Sequence, residues 1–198
     1  NFSINTLSIP VATLSGEMCR GELFSGNQDL IKRGAISLED ANALQKFIGY
    51  LGEKKQAVLF DLDQTLVDSS LLEPMRIDRD WNSVLANLNL VEPINGVNDY
   101  LKYIKQEGLK SGLVTSSPKH YATAICNQFG WDFDVVVSYH DTDKHKPYPD
   151  PLIKAAGLLN IEKEQCVYVG DDEKDQIAAT NARMDFIHLL ATELSEEL

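Results

Sequence analysis

The sequence predicts an α/β protein, with helices layered on both sides of a parallel five-stranded sheet. Three observations lead there. From Ala57 onward, short apolar runs alternate with longer stretches of helical periodicity, the pattern of successive βαβ units. The first of these runs, "AVLF", is uninterrupted rather than alternating, as in a strand buried on both faces. The chain of 198 residues is 43% hydrophobic, enough for one good core with a small appendage.

Each element has its own justification. "AVLFD" is the first strand. "INGVNDYLKYIKQEG" follows as a helix over residues 94–107, with Val97, Tyr100, Leu101 and Ile104 on one face and Gly108 as its stop. "SGLVT" is the second strand and ends at Thr115. "SSPKHYATAICNQFG" opens a helix with Ser117 as N-cap and Pro118 at the first helical position. "FDVVVS" is the third strand, and "DPLIKAAGLL" repeats the cap-plus-proline device with Asp150 and Pro151. "CVYVG" is the fourth strand, "EKDQIAATNAR" the next helix, and "FIHLL" a weaker fifth strand. Right-handed crossovers between five such strands make a three-layer, Rossmann-like sandwich over residues 53–198.

Residues 1–52 stand outside this alternation. "SLEDANALQKFIGYL" reads as a helix capped by Ser37, with Leu38, Ala41, Leu44 and Ile48 on one face. What precedes it has no period. The segment is expected to pack on the sheet or to belong to an upstream module, not to carry catalysis.

Composition narrows the function. The formal net charge of −12 argues against nucleic acid as the main partner and against an anionic membrane surface. No apolar run is long enough to span a bilayer, and no basic segment followed by a long apolar one opens the sequence, so a cytoplasmic protein is expected. The three cysteines, Cys19, Cys126 and Cys166, lack metal-ligand spacing and read as reduced thiols, two of them in the core.

Chemistry collects where an open parallel sheet places its ligands, at the carboxyl ends of the strands. The first strand ends in Asp61 and Asp63, two carboxylates that repel unless a cation lies between them or one holds a proton. The second ends in Thr115 and Ser116. A loop with Lys144 and Lys146 follows the third, and Gly170, Asp171 and Asp172 end the fourth, with Asp175 one helical turn later. Carboxylates, a hydroxyl and an ammonium thus converge on one rim.

In this order, "DLDQT", "LVTSS", "HKPYPDP" and "GDDEKD" resemble the four motifs of the haloacid dehalogenase-like (HAD) superfamily of hydrolases. The resemblance runs from Ala57 to the end of the chain and leaves the N-terminal segment unexplained. It implies hydrolysis of a phosphate monoester through an aspartyl-phosphate. Physical logic agrees: a carboxylate nucleophile, Asp61, meets a phosphate dianion only if a divalent cation bridges them, and oxygen donors favour Mg²⁺. The resemblance assigns the metal to Asp61, the Asp63 backbone carbonyl and Asp171, with Asp175 close by or acting through water. Asp63 then serves as general acid and base. Thr115, Ser116 and the following amides hold phosphate oxygens, and Lys146 offsets charge on Asp61 and the phosphoryl group. Lys144 competes with Lys146, but "KPYP" fits the family pattern at Lys146.

Plainer readings compete at several positions. Asp172 is more simply the N-cap of the next helix than a ligand, and Asp175 could be first-turn surface charge. His140 and His145 lack a third ligand for zinc, and His120 and His188 read as ordinary surface and core residues. Two departures from the family stand out. Gln64 occupies a position where many relatives carry Gly. The stretch between the first two motifs leaves only residues 69–92 for a cap, room for a helix or two. The substrate could then be large and form its own lid, a second copy of the chain or the N-terminal segment could cover the site, or the enzyme could act broadly on small phosphate esters. Arg76, Arg79 and Trp81 lie in this insert, and Arg76 is the candidate for contact with substrate. Three other functions compete: a C–halogen hydrolase, which needs neither Asp63 nor the metal; a phosphotransferase, which wants a substantial cap; and a non-catalytic phosphate-binding or interaction module, which would be free to lose groups that are all present here.

Overall fold

The computed structural model describes residues 6–10 and 55–190. The helix expected over residues 37–51 and Cys19 lie outside them. The central sheet has strands β1 (Thr6–Pro10), β2 (Ala57–Phe60), β5 (Lys110–Val114), β6 (Val135–Val137), β7 (Cys166–Gly170) and β8 (Asp185–Leu190). All pair in parallel, in the order β1-β8-β7-β2-β5-β6. The five expected strands are all there, and the sheet has a sixth, from the N-terminal segment, at the β8 edge. "TLSIP" is short and ends in Pro10, the composition of an edge strand that has no period of its own to announce it.

Among the described residues, five helices carry the crossovers after β2 and the insert's second half: α2 (Trp81–Ala86), α3 (Val97–Gln106), α4 (Lys119–Phe129), α5 (Asp150–Leu159) and α6 (Glu173–Ala182). A further short helix, α1 (Glu73–Ile77), opens the insert. The strand side chains alternate between two cores. Val58, Phe60, Leu113, Val167 and Val169 face the layer of α3 and α4, where Tyr100, Ile104, Tyr121 and Ile125 are buried. Ala57, Leu59, Val114, Cys166 and Tyr168 face α5 and α6, where Leu152, Ala155, Ala178 and Ala182 are buried. Each large apolar side chain buried in this way stabilises the fold by roughly 1.5–3 kcal/mol. Cys166 is buried and Cys126 half-buried, and both are free thiols. No helix among the described residues is long and apolar enough to cross a membrane.

Three helix starts differ from expectation. α3 begins at Val97, with Gly96 as its cap, rather than at residue 94. Pro118, with φ −65° and ψ 152°, takes the cap position of α4, so Ser117 is not the N-cap. Pro149 likewise precedes α5, and Asp150 is its first residue rather than its cap. Each proline's fixed φ sets the entry angle without a side-chain hydrogen bond, which leaves Ser117 free for another partner. At the other end of α3, Gly108 follows the last turn at φ 71°, the left-handed stop that glycine supplies.

The insert hangs from a two-residue antiparallel clasp, β3 (Val67–Asp68) with β4 (Glu92–Pro93). α1 has Pro74 in its first turn, and α2 is capped by Asp80, whose carboxylate accepts from the Ser83 amide. Leu72 and Val84 anchor the insert, and the Trp81 ring lies 5.8 Å from Tyr121 and 5.9 Å from His120 on α4.

Candidate active site

Strand order decides where the site forms. β2 lies at the centre of the sheet between β5 and β7, so the chain leaves it toward one edge and returns to build the other. The carboxyl ends of β2 and β7 flank this switch point, where open α/β sheets bind ligands. The register pairs Phe60 with Val169, and the Asp61 amide donates to the Val169 carbonyl at 2.9 Å, bringing Asp61 level with the tip of β7. Carboxylate oxygens of Asp61, Asp171 and Asp175 all lie within 4.8 Å of one another. Gly170 makes this possible: a Cβ there would meet the Asp175 carboxylate at 2.5 Å, so only a bare backbone lets Asp175 close in.

Lys146 enters from the loop after β6. Its Nζ lies 2.7 Å from Asp61 Oδ1 and 2.6 Å from Asp175 Oδ1, with the side chain 6% exposed. Lys144 instead lies over the Tyr148 ring, so the lysine of the site is Lys146. Asp175 is 1% exposed and therefore not surface charge. Asp172 is the N-cap of α6: it accepts from the Asp175 amide at 3.0 Å, and the Asp175 carboxylate returns the contact to the Asp172 amide. Asp171 accepts from Thr65 Oγ1 at 3.0 Å, and His188 Nε2 holds its carbonyl oxygen at 2.6 Å.

The three carboxylates face one ammonium, and the surplus negative charge shows in their proton affinities. Burial pushes Asp61 up to about 8; Lys146 pulls against this, while Asp175 and Asp63 add to it. Burial also raises Asp171 to about 6, with the Thr65 hydrogen bond opposing. Burial disfavours the charge on Lys146, but Asp61 and Asp175 outweigh it and hold the ammonium above its ordinary range. A hard dication fits this donor set, three carboxylates with surplus charge and no nitrogen or sulfur ligand. His140 and His145 instead pack against the Tyr139 ring, and among the described residues neither belongs to a metal-capable group.

Asp63 has a different setting. Ser69 Oγ and Tyr121 Oη donate to its Oδ1 at 2.7 and 2.8 Å, and Ser117 Oγ and Arg76 Nη2 reach its Oδ2 at 2.8 and 2.7 Å. Its side chain thus stands apart from the carboxylate group. Arg76 lines the cleft from the insert, but its guanidinium is engaged by Asp63 and Ser69. Thr115 is buried at the tip of β5, where its Oγ1 accepts from the Ser117 amide at 3.0 Å, and Ser116 lines the same cleft. The cleft holds about 680 Å³, with Asp61, Asp63, Thr115, Ser116, Lys146, Asp171 and Asp175 all on its walls.

Tyr121, Tyr168 and His188 were invisible as site residues in the sequence. Each sits in an apolar run or helix face that explains it as core, and only the fold turns its polar atom toward the rim. Gln64 has φ 62°, a left-handed backbone that favours glycine.

Comparison with known proteins agrees with this architecture. The family model for haloacid dehalogenase-like hydrolases matches residues 70–189, a span that begins just after the Asp61–Asp63 pair. The pyrophosphatase PpaX of Halalkalibacterium halodurans is 38% identical over 95 residues, 47% of this chain and 44% of that protein. The phosphoglycolate phosphatase of Xanthomonas campestris is 38% identical over 98 residues, 48% of this chain and 44% of that protein. The chain thus spans less than half the length of these relatives. Among solved structures, a HAD-superfamily hydrolase of subfamily IA from Geobacter sulfurreducens superposes with a TM-score of 0.58 at 21% identity, covering 72% of this chain and 90% of that one. CbbY from Rhodobacter sphaeroides, solved in complex with phosphate, gives a TM-score of 0.56 at 19% identity over 73% of this chain and 89% of that one. The strand-end carboxylates, the Lys146 ammonium between them and the extent of the family match lead to one conclusion: this chain belongs to the haloacid dehalogenase-like hydrolase family.

Proposed function

We propose that the chain is a Mg²⁺-dependent phosphomonoester hydrolase that works through an aspartyl-phosphate on Asp61. The observation that carries this reading is the meeting of Asp61, Asp171 and Asp175 within 4.8 Å, with the Lys146 ammonium on Asp61. Asp61, Asp171 and Asp175, with the Asp63 carbonyl, are the residues that would hold the ion. When bound, the ion supplies positive charge that lets a carboxylate approach a phosphate dianion. The Asp61 carboxylate oxygen attacks phosphorus while the ester oxygen leaves and takes a proton from Asp63. Water then attacks the acyl-phosphate and gives a proton to Asp63, releasing inorganic phosphate and restoring Asp61. Thr115, Ser116 and the first amides of α4 bind phosphoryl oxygens, since the Ser117 amide is already held by Thr115 Oγ1 and Pro118 has none. Lys146 offsets the charge that spreads over those oxygens in a loose transition state. Arg76 is the insert's contact with the phosphate; four donors surround Asp63 in the structure, so one must turn away before it can donate a proton.

The same reading extends to substrate. Arg79 and Lys174 line the cleft, and neither side chain has an ion-pair partner among the described residues. They favour a small phosphate ester or anhydride with a second anionic group, in keeping with the names of the phosphoglycolate phosphatase and pyrophosphatase relatives. A dehalogenase would have no use for three clustered carboxylates.

The test is hydrolysis of an aryl phosphate by the purified protein. Activity is expected with Mg²⁺, and it should vanish with EDTA or in Asp61→Asn while the thermal melt stays close to wild type. Beryllofluoride with Mg²⁺ should stabilise the wild type alone. Equal turnover in wild type and Asp61→Asn, with and without EDTA, would refute the reading.

A further inference from the structure

The Lys146 ammonium has three protons and no capacity to accept. Two of them point to Asp61 Oδ1 and Asp175 Oδ1. The third reaches the phenol oxygen of Tyr168, 2.9 Å from Nζ. Tyr168 lies in the middle of β7 and is 0% exposed. Its own proton has two acceptors in range, Asp175 Oδ1 at 3.1 Å and the Val114 carbonyl at 3.2 Å. Val114 ends β5 and precedes Thr115. One buried hydroxyl therefore ties the lysine loop, the start of α6 and the tip of β5 together.

We infer that Tyr168 is a positioning residue for Lys146: its phenol holds the ammonium against Asp61 at the distance the nucleophilic carboxylate requires. Phenylalanine would fill the same space in the core layer of Leu152 and Ala178, so packing alone does not call for a hydroxyl. Without it, the third ammonium proton would be buried and unpaired, an expensive state in a low-dielectric interior. A lysine side chain is flexible enough to relieve this by turning Nζ toward another acceptor, which loosens its contact with Asp61. The consequence for turnover rests on the phosphatase reading above; the holding of the lysine does not.

The experiment uses Tyr168→Phe, Lys146→Met and their combination, with two readouts. For aryl phosphate and Mg²⁺, Tyr168→Phe is expected to lower kcat about ten-fold or more while KM changes less than about three-fold. In the Lys146→Met background the same substitution should change kcat by less than about two-fold, because the residue it acts through is gone. Leu152→Ala, a packing change in the same layer, should lower the melting temperature yet leave kcat within about two-fold of wild type. The second readout is the ¹⁵N–¹H signal of the Lys146 ammonium, assigned by its loss in Lys146→Met. Its protons should exchange with water about five-fold faster or more in Tyr168→Phe, since a hydrogen bond that retards exchange is gone. Wild-type kcat in Tyr168→Phe, equal losses in both backgrounds, or unchanged ammonium exchange would each overturn the inference. If the wild type hydrolyses no phosphate ester, the phosphatase reading fails, and ammonium exchange alone decides the role of Tyr168.

Discussion

Gly170→Ala is the smallest perturbation that should dismantle the site without touching any group in it. The added Cβ would lie 2.5 Å from Asp175 Oδ2 and 2.6 Å from its Cβ and Cγ, whereas ordinary contact starts at 3.4 Å. The Asp175 side chain must therefore retreat by about 0.9 Å, the difference between 3.4 and 2.5 Å. Its 2.6 Å contact with Lys146 does not survive such a shift. Overpacking of this kind costs about 1–3 kcal/mol, and weakening a charge-assisted hydrogen bond adds about 1–2 kcal/mol. A total near 3 kcal/mol corresponds to a fall of roughly 6–12 °C in melting temperature for a chain of this size. Misplacement by about 1 Å also predicts a loss of about 100-fold in kcat. Mg²⁺ affinity should fall as well, since Asp175 leaves the carboxylate group. Differential scanning fluorimetry, Mg²⁺ titration by calorimetry and aryl phosphate hydrolysis read these three effects. An alanine variant with wild-type melting temperature and Mg²⁺ affinity would show that Asp175 does not need the bare backbone at Gly170, and the carboxylate geometry described here would be wrong.

Other outcomes follow from single residues. Gln64→Gly should be more stable than Gln64→Ala by about 1 kcal/mol, because only glycine takes the left-handed backbone at φ 62° without strain; equal melts would refute this. Arg76→Met removes the insert's guanidinium from the cleft and should raise KM for a phosphate ester about ten-fold, a loss near 1.4 kcal/mol; a KM within two-fold of wild type would exclude Arg76 from phosphate binding. Burial pushes the Cys166 thiol from 9.0 up to about 11. The fold thus disfavours the thiolate, so this group contributes stability below pH 9 that is lost as pH rises through about 11. Iodoacetamide at pH 8 should label Cys166 far more slowly in the native protein than in urea, and equal rates would show that the thiol is accessible.

The strands and the main site residues are written locally. A buried parallel strand needs an unbroken apolar run, and a strand tip that lines the cleft needs a polar residue directly after it. Asp61, Thr115 and Asp171 could therefore be read from short windows, each independent of the rest of the chain. Asp172 as a cap was legible for the same reason, since its partner is only three residues away.

What eluded the sequence depends on contacts between residues far apart in the chain. Ser117 looked like a helix cap because serine before proline usually is one; its hydroxyl instead donates to Asp63, fifty-four positions earlier. Tyr168 and Tyr121 pass as core residues, and only the packing of β7 and α4 brings their hydroxyls to Lys146 and Asp63. β1 has no periodicity to betray it, because an edge strand takes its order from the partner it pairs with. The kinds of groups at the strand ends and their order along the chain are legible without the fold, since local burial and capping depend on near neighbours. Which donor meets which acceptor is set by the fold, because hydrogen bonds act over about 3 Å, while partners such as Asp63 and Ser117 stand fifty-four positions apart and meet only through the pairing of neighbouring strands.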